Sequence, residues 1–520
     1  MHTKFSYSAK IYFLIFIYLS FPIFTDALLS KNLFSPLDIL YVSWGLMLPF
    51  AICPYLHPVF AILYLPVYII YALNLCHIIL FKSPLTKSSV TVILASNTME
   101  IKDFLHHFIT FPIIISLCLY TLVAIILCKY ICQNKKHIST NLYIVLICYS
   151  LFILSVYQGF HTLYPNPNNL LPYKIADWTV KHYAEKKEFI SNLKKFKRNS
   201  IPGLKSQMPK DLRETYIIVI GESASRYRLK YYNYKRNTTP YSSQIIKPLI
   251  FTDVKSPHTI TVLSLKKTLS LYHNDIYKVS LIDIFRLSGF KSFWISNQYF
   301  NGEESDLTNI FAYNTDNIIF TNDIKNYLYG TEEHSYDSKL LPHLDNALKD
   351  DAHKKIIFIH LAGSHFPYNL RFPKDFNFYT SQNLSSFQQE FNDYDNSIRY
   401  TDYILSQIVK KISNLKEQSF VLYFSDHGED ILLTPESCHC HSPSPQIQTK
   451  SMFEIPFLLW FNKTYKQHNK ILTSKLPNYV SRPFINHNLI HSLPTLAGLS
   501  FDRQDDTKNL FSDKFISEQP

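Results

Sequence analysis

The residues best equipped for chemistry stand beside glycines, and glycine is scarce: the chain has 10 in 520 residues. Three of them, Gly221, Gly363 and Gly428, lie close to side chains able to bind a metal: Glu222, His365, and the pair Asp426–His427. Each also falls at or just beyond the end of a short apolar, β-like run. In an open α/β sheet, ligands bind outside the carboxyl ends of the strands. One carboxylate, one Asp–His pair and a further histidine would therefore converge on one rim. Taken singly, each element reads equally as a turn glycine beside a solvated polar residue. Recurrence at several strand ends is what points to a site. Carboxylate with imidazole suits zinc, and less well manganese. A catalytic zinc site usually takes three protein ligands and leaves one position for a reacting oxygen. Glu222, Asp426 and His427 would make those three.

The segment Ser256-Pro257-His258-Thr259-Ile260-Thr261 is polar and follows a β-like run. A hydroxyl beside zinc loses its proton more easily, as zinc-bound water does. A threonine so placed can act as an alkoxide nucleophile. Composition alone does not single out Thr259 among the threonines.

Such residues need a sheet to hold them. After Thr215, short β-rich runs alternate with helical stretches. The candidate strands are Tyr216–Ile220, Ser292–Ile295, Ile356–His360, Phe420–Phe424 and Pro456–Phe461. The candidate helices include Leu281–Leu287, Ser335–Leu348, Asp393–Ile412 and His487–Leu496. Continuous apolar strands separated by helices predict an α/β domain with a mainly parallel sheet flanked by helices.

Ahead of that domain lie five apolar runs: Ile11–Leu29, Ile39–Leu56, Val59–Phe81, Phe108–Ile131 and Leu142–Phe160. Each is about long enough to cross ~30 Å of hydrocarbon. The first, with Lys4 and Lys10 ahead of it, resembles a signal peptide. Four more runs follow and no clean small-residue cleavage site is present, so it reads as an anchor. This predicts a membrane domain over residues 1–160, juxtamembrane linker helices over 161–210 and a catalytic domain over 211–515. Ile175–Phe196, rich in Lys, Tyr and Phe, reads as an amphipathic surface helix or as a solvated linker helix. Loop charges leave the orientation open. A net charge of +12 fits an anionic bilayer surface. Lys and Arg are too thinly spread for a nucleic-acid arm. Few charges beyond Asp26 lie in the spans, which disfavours a transporter. Six of the eight cysteines lie in or beside the apolar runs and read as packing residues. Cys438 and Cys440 alone make no disulfide scaffold.

A series of motifs then resembles one family. YIIVIGESASRYRLKYYNYKRNTTP, from Tyr216 to Pro240, is similar to the opening motif of bacterial phosphoethanolamine transferases, in the alkaline phosphatase and sulfatase superfamily. SPHTITVLSLKKTLS from Ser256 resembles their nucleophile segment, with Thr259 in the nucleophile position. FWISNQ from Phe293, HLAGSHFPY from His360, YDNSIRYTDYIL from Tyr394 and FSDHGED from Phe424 follow in family order, and His441 ahead of EIPFLLW matches the last family histidine. The five apolar runs match as well.

The resemblance implies roles. Glu222, Thr259, Asp426 and His427 would bind zinc. Thr259 would attack the phosphorus of phosphatidylethanolamine, release diacylglycerol and carry phosphoethanolamine covalently. An acceptor on lipopolysaccharide or lipooligosaccharide would then take the group, in the outer leaflet of a bacterial inner membrane with the catalytic domain in the periplasm. His365 and His441 would hold the phosphoryl group or move protons. Asn297 would contact substrate, and Glu100 would face the ethanolamine ammonium, against the plainer reading of Glu100 as a solvated loop residue. Lipid A-modifying members often carry several disulfides in the soluble domain, and glycine where His258 stands here. SPHT, LSLKKTL and WISNQ look more like the branch that modifies core sugars, which favours a core heptose acceptor.

Two motifs compete for attention. Gly221-Glu222-Ser223 resembles a hydrolase nucleophile elbow, but Ala224-Ser225 follow where a second glycine is needed, so Ser223 reads as structural. Cys438-His439-Cys440-His441 resembles a small metal cluster. A local disulfide or free thiols, with His441 serving the active site, is the simpler reading. The competing functions are a phosphoglycerol transferase or phosphodiesterase of the same superfamily, and a catalytically dead, membrane-bound binding protein. No cysteine lies between Cys148 and Cys438, which disfavours a true sulfatase nucleophile.

Overall fold

A computed structural model describes residues 2–29, 56–81, 83–96, 101–102, 104–105, 109, 111–133, 171–196, 200–209, 211–273, 276–300, 311–323, 335–380, 386–431, 441 and 448–518. The chain divides into two compact units, residues 1–94 with 100–183, and residues 95–99 with 184–520.

The first unit is helical. Two of its described helices, Pro58–Phe81 and Ile113–Gln133, are long and apolar enough to cross a membrane, and the helix His2–Leu29 carries a shorter apolar stretch, Tyr12–Asp26. The expected spans 39–56 and 142–160 fall outside the described residues, apart from Leu56. The described helices turn aliphatic side chains outward, among them Ile62, Leu63, Ile69, Leu119 and Ile126. Polar groups meet inside. Tyr18 Oη donates to Ala61 O at 2.8 Å, Tyr64 Oη to Leu19 O at 2.8 Å and Tyr68 Oη to Tyr18 O at 2.7 Å. Such an inverted arrangement suits an apolar surrounding, where an unpaired polar group is costly.

The second unit is built on a seven-stranded sheet: β1 (Glu214–Gly221), β2 (Leu249–Ile250), β3 (Lys291–Phe300), β4 (Asn317–Asp323), β5 (Lys354–His360), β6 (Gln418–Ser425) and β7 (Phe457–Phe461). Their order is β2-β7-β6-β1-β5-β3-β4. The central strands read as unbroken apolar runs because both faces are covered. On β1, Tyr216, Ile218 and Ile220 enter one core while Ile217 and Val219 enter the other, as strand alternation requires. Truncating one of these, Ile218→Ala for example, costs about 2–5 kcal/mol.

All five expected strands form. Pairings from β6 through β1, β5 and β3 to β4 are parallel. The sheet is thus mainly parallel, as expected, with β7 the exception: it runs antiparallel to both β6 and β2. An antiparallel strand toward the edge of an otherwise parallel sheet is common, and an apolar run carries no sign of its direction. Flanking helices include α1 (Thr261–Thr268), α2 (Leu281–Leu287), α3 (Leu340–Lys349), α4 (Ser386–Ser413) and α5 (Leu489–Leu496). On α4, Tyr400, Ile404, Ile408 and Ile412 recur every fourth residue and are buried against the sheet.

Candidate active site

Register brings the chemistry together. Gly221 lies opposite Ser425, and His360 lies opposite both Ile220 and Ser296. The central strands therefore end level, and the next residues of β1 and β6 are Glu222 and Asp426. The loops are then knitted by the backbone: Asp426 N donates to Gly221 O at 3.0 Å and Ser364 N to Glu222 O at 3.0 Å. Gly363 is needed for this approach. It holds φ +54°, and a Cβ there would lie 2.8 Å from Glu222 N.

Glu222, Asp426 and His427 are buried, and each offers a ligand atom within 4.8 Å of the others. His427 Nε2 is 3.4 Å from both Glu222 Oε1 and Asp426 Oδ2. Asp426 Oδ2 is shut off from solvent and, among the described residues, makes no hydrogen bond of ordinary geometry. Burial, then the Glu222 charge, pushes the Asp426 carboxyl up to about 7. Burial opposes a charged His427 too, but Asp426 and Glu222 outweigh it and raise the imidazole to about 10. Burial also acts against a charged Glu222. The His427 hydrogen bond and charge, with His365 and His360 beyond, nevertheless hold it well below the carboxylate range. The three groups thus keep a cation among themselves by holding protons. A divalent metal does the same after displacing those protons, so the residues fit one. Two carboxylates and an imidazole are a zinc set; nothing in the structure favours manganese.

Among the described residues, the hydroxyl that reaches both Glu222 and His427 is that of Thr261. Its Oγ1 lies 3.3 and 3.2 Å from the Glu222 oxygens and 3.3 Å from His427 Nε2. The Thr259 hydroxyl instead accepts from Gln448 Nε2 at 3.2 Å. The cause is where the helix starts. Ile260 is extended and α1 begins at Thr261, so Thr261 sits on the first turn. Ser264 Oγ pins that turn by donating to Asp426 O. The unpaired amides of a helix N-terminus favour an anion such as a phosphoryl group.

The two histidines expected at the site are there. The His441 ring is 4.3 Å from that of His427 and 6.3 Å from that of His365. Glu429 Oε2 lies 3.1 Å from His441 Nδ1, and His365 Nδ1 is 2.7 Å from Phe366 O. Burial lowers His365 to about 4, so it is a neutral imidazole.

Asn297 does not meet the expectation of a substrate contact. It is buried, its Nδ2 donates to Ser335 O and Asp337 Oδ1, and its Oδ1 accepts from Thr321 and Ser335 hydroxyls. That exhausts an amide. Its neighbour Gln298 faces the site: Nε2 donates to Glu222 Oε2 at 3.2 Å and to Leu361 O at 2.7 Å. The β3–β4 register slips between Ser296 and Tyr299, and such a bulge re-aims side chains. Ser223, read from sequence as structural, donates its hydroxyl to Glu222 Oε1 at 2.8 Å. Glu100, Cys438 and Cys440 lie outside the described residues.

Known proteins resemble this chain over most of its length. Phosphoethanolamine transferase EptC of Escherichia coli O18:K1:H7 is 28% identical over 473 residues, covering 85% of this chain and 80% of its own length. The solved C-terminal periplasmic domain of E. coli EptC, in complex with zinc, is 28% identical with a TM-score of 0.56, covering 62% of this chain and 92% of its own. The integral membrane lipooligosaccharide phosphoethanolamine transferase A of Neisseria meningitidis shares the fold over 97% of this chain and 98% of its own, with a TM-score of 0.66 at 20% identity. The sulfatase family model matches residues 214–499, which is more than half of the chain and holds every site residue described above. The chain is therefore an enzyme that belongs to the sulfatase family, and its curated relatives there are phosphoethanolamine transferases.

Proposed function

We propose that this chain transfers phosphoethanolamine from phosphatidylethanolamine to lipopolysaccharide or lipooligosaccharide, with a core heptose favoured over lipid A as acceptor. The observation that carries this reading is the Thr261 hydroxyl, at a helix N-terminus, facing a buried cluster of two carboxylates and an imidazole. Glu222, Asp426 and His427 would hold zinc, which when bound would make a neighbouring hydroxyl more acidic and offset phosphoryl charge.

In the first step Thr261 Oγ1 bonds to the donor phosphorus, and the phosphorus–oxygen bond to diacylglycerol breaks. The Thr261 proton leaves and the departing oxygen gains one. In the second step an acceptor oxygen bonds to that phosphorus, the bond to Thr261 Oγ1 breaks, and Thr261 recovers a proton. The first-turn amides of α1 orient the phosphoryl oxygens. His365, neutral, and His441, backed by Glu429, stand where a proton must be moved. Thr261 takes the nucleophile role here in place of Thr259. The motif branch and the scarcity of soluble-domain cysteines support the core acceptor.

The same reading puts residues 1–160 in a bacterial inner membrane through five spans, with a linker over 161–210 and residues 211–515 in the periplasm. The described apolar helices and the relatives support it.

Purified protein incubated with phosphatidylethanolamine should gain one phosphoethanolamine on Thr261, seen by intact-protein and peptide mass spectrometry, with release of diacylglycerol. Thr261→Ala should remove both signals, and Thr259→Ala should keep them. An adduct on another residue, or a glycerophosphate adduct from phosphatidylglycerol instead, would overturn the proposal.

A further inference from the structure

The turn that carries Glu222 is held in a conformation its sequence disfavours. Ser223 sits at φ +55°, where a residue with a side chain costs about 1–2 kcal/mol. A buried phenol from a distant helix holds it there. Tyr394, on α4, donates its Oη to Ser223 O at 2.7 Å and accepts from Ser225 N at 2.9 Å. Both hydrogen-bonding capacities of the phenol are thereby used on one turn. Ser223 then grips both carboxylates of the cluster. Its N donates to Asp426 Oδ1 at 3.1 Å and its Oγ to Glu222 Oε1 at 2.8 Å. The same helix braces the neighbouring loop, because Ser397 Oγ donates to Ser364 Oγ at 2.8 Å.

We propose that Tyr394 is a positioning residue for the metal centre: by locking Ser223 left-handed it fixes where the Glu222 and Asp426 carboxylates point, and so sets the affinity for a divalent cation. It acts through Ser223. The proposal rests on reading the Glu222–Asp426–His427 cluster as a metal site. Partners one step behind metal ligands typically carry 10–100-fold of metal affinity. The left-handed Ser223 explains why a clamp is required, since a glycine would adopt that conformation without one.

The test measures zinc affinity of the full chain in detergent by chelator competition. Tyr394→Phe keeps the buried ring and removes only Oη. Because it acts one step further back, through Ser223, it should weaken zinc binding about 10-fold, the low end of that range. Tyr368→Phe is the control. Its ring lies 5.0 Å from that of Tyr394, and its buried Oη has no hydrogen-bond partner among the described residues, so zinc affinity should not change. A double-mutant cycle gives the second readout. With Ser223→Gly in place, the added Tyr394→Phe should cost much less than it does alone, because glycine needs no clamp. If wild type binds zinc and Tyr394→Phe binds it equally well, or if the two changes are additive, this proposal falls. If wild type binds no zinc, the metal reading of the site falls and takes this proposal with it.

Discussion

The two ends of the central sheet treat buried charge in opposite ways. At the amino-terminal end, Glu214 is fully buried and sits 2.6 Å from the Lys354 ammonium, while the nearly buried Lys355 faces Glu417 at 3.8 Å. Off the sheet the pattern is the same: buried Asp395 meets Arg228 at 3.0 Å and Arg236 at 2.8 Å. At the carboxyl end, Glu222 and Asp426 are just as buried, but a single imidazole stands between them. Cationic side chains meet the buried carboxylates at the amino-terminal end, whereas at the carboxyl end one imidazole serves two, leaving charge that a bound cation would offset. Buried groups with strongly perturbed protonation mark functional sites for this reason.

The largest expected effect comes from neutralising the carboxyl end. In Asp426→Asn, Oδ1 can still accept from Ser223 N and His427 N, as Asp426 Oδ1 does at 3.1 and 2.7 Å. The amide nitrogen replaces Oδ2, the oxygen 3.4 Å from His427 Nε2. Transfer should fall by at least ~10³-fold, the scale of losing a principal electrostatic element of a reaction. The metal-free protein should gain stability instead. Asp426 titrates near 7 in the folded state, above the ordinary ~3.9 of an unfolded chain. A group raised in this way favours the fold when protonated and loses that contribution as pH rises through its folded value. Substitution by a permanently neutral amide removes the loss, so thermal melts with chelator at pH 8 should shift upward. A downward shift would show that the carboxyl end is not strained by its charges.

Reading the sequence reached the sheet and the convergence of Glu222, Asp426 and His427 for one physical reason: strands announce themselves by apolar runs, and level strand ends put the next residues side by side. Glu222, Asp426 and His427 needed nothing more. That the hydroxyl turned toward the cluster belongs to Thr261 and not Thr259 is set at a finer scale, because where α1 begins decides which hydroxyl faces inward. That Gln298 and not Asn297 turns toward Glu222 is hidden for a similar reason, since a bulge in β3 has no signature in a string of residue types. The Tyr394 clamp joins residues 171 positions apart and leaves no local trace. The antiparallel course of β7 is silent for the same reason that its apolar run is clear.

The second prediction sharpens the contrast through pH. Metal must displace the protons held at the carboxyl end. Asp426 titrates near 7 and His427 near 10. Below pH ~7 two protons leave when zinc binds, and between ~7 and ~10 one leaves. Affinity should therefore rise about a hundredfold per pH unit from 5.5 to 6.5 and about tenfold per unit from 7.5 to 8.5. Chelator competition across this range measures both slopes. A flat profile would mean that the cluster does not hold its own protons in the absence of metal.

The smallest effect belongs to the paired end, and it is the one that can break the comparison. Lys354→Met keeps an aliphatic stem beside Phe290, whose ring lies 5.6 Å from the lysine ammonium. It strips Glu214 of its nearest cation, leaving a fully buried carboxylate whose Oε2 accepts from Tyr216 Oη at 2.6 Å. Breaking a buried ion pair by removing one partner costs about 3–5 kcal/mol. The Lys354 side chain is 12% exposed, so water offsets part of this and the low end is expected. Replacing both partners, as Lys354→Met with Glu214→Gln, should recover much of the loss, since a neutral amide can still accept from Tyr216. Urea unfolding measures the stability of all three variants. Zinc affinity and transfer should stay within about threefold of wild type while the protein remains folded, because β1 separates Glu214 from Glu222 by its full length. A tenfold loss of zinc affinity in folded Lys354→Met would show that charge at one end of the strand is felt at the other. The two ends would then form one electrostatic system.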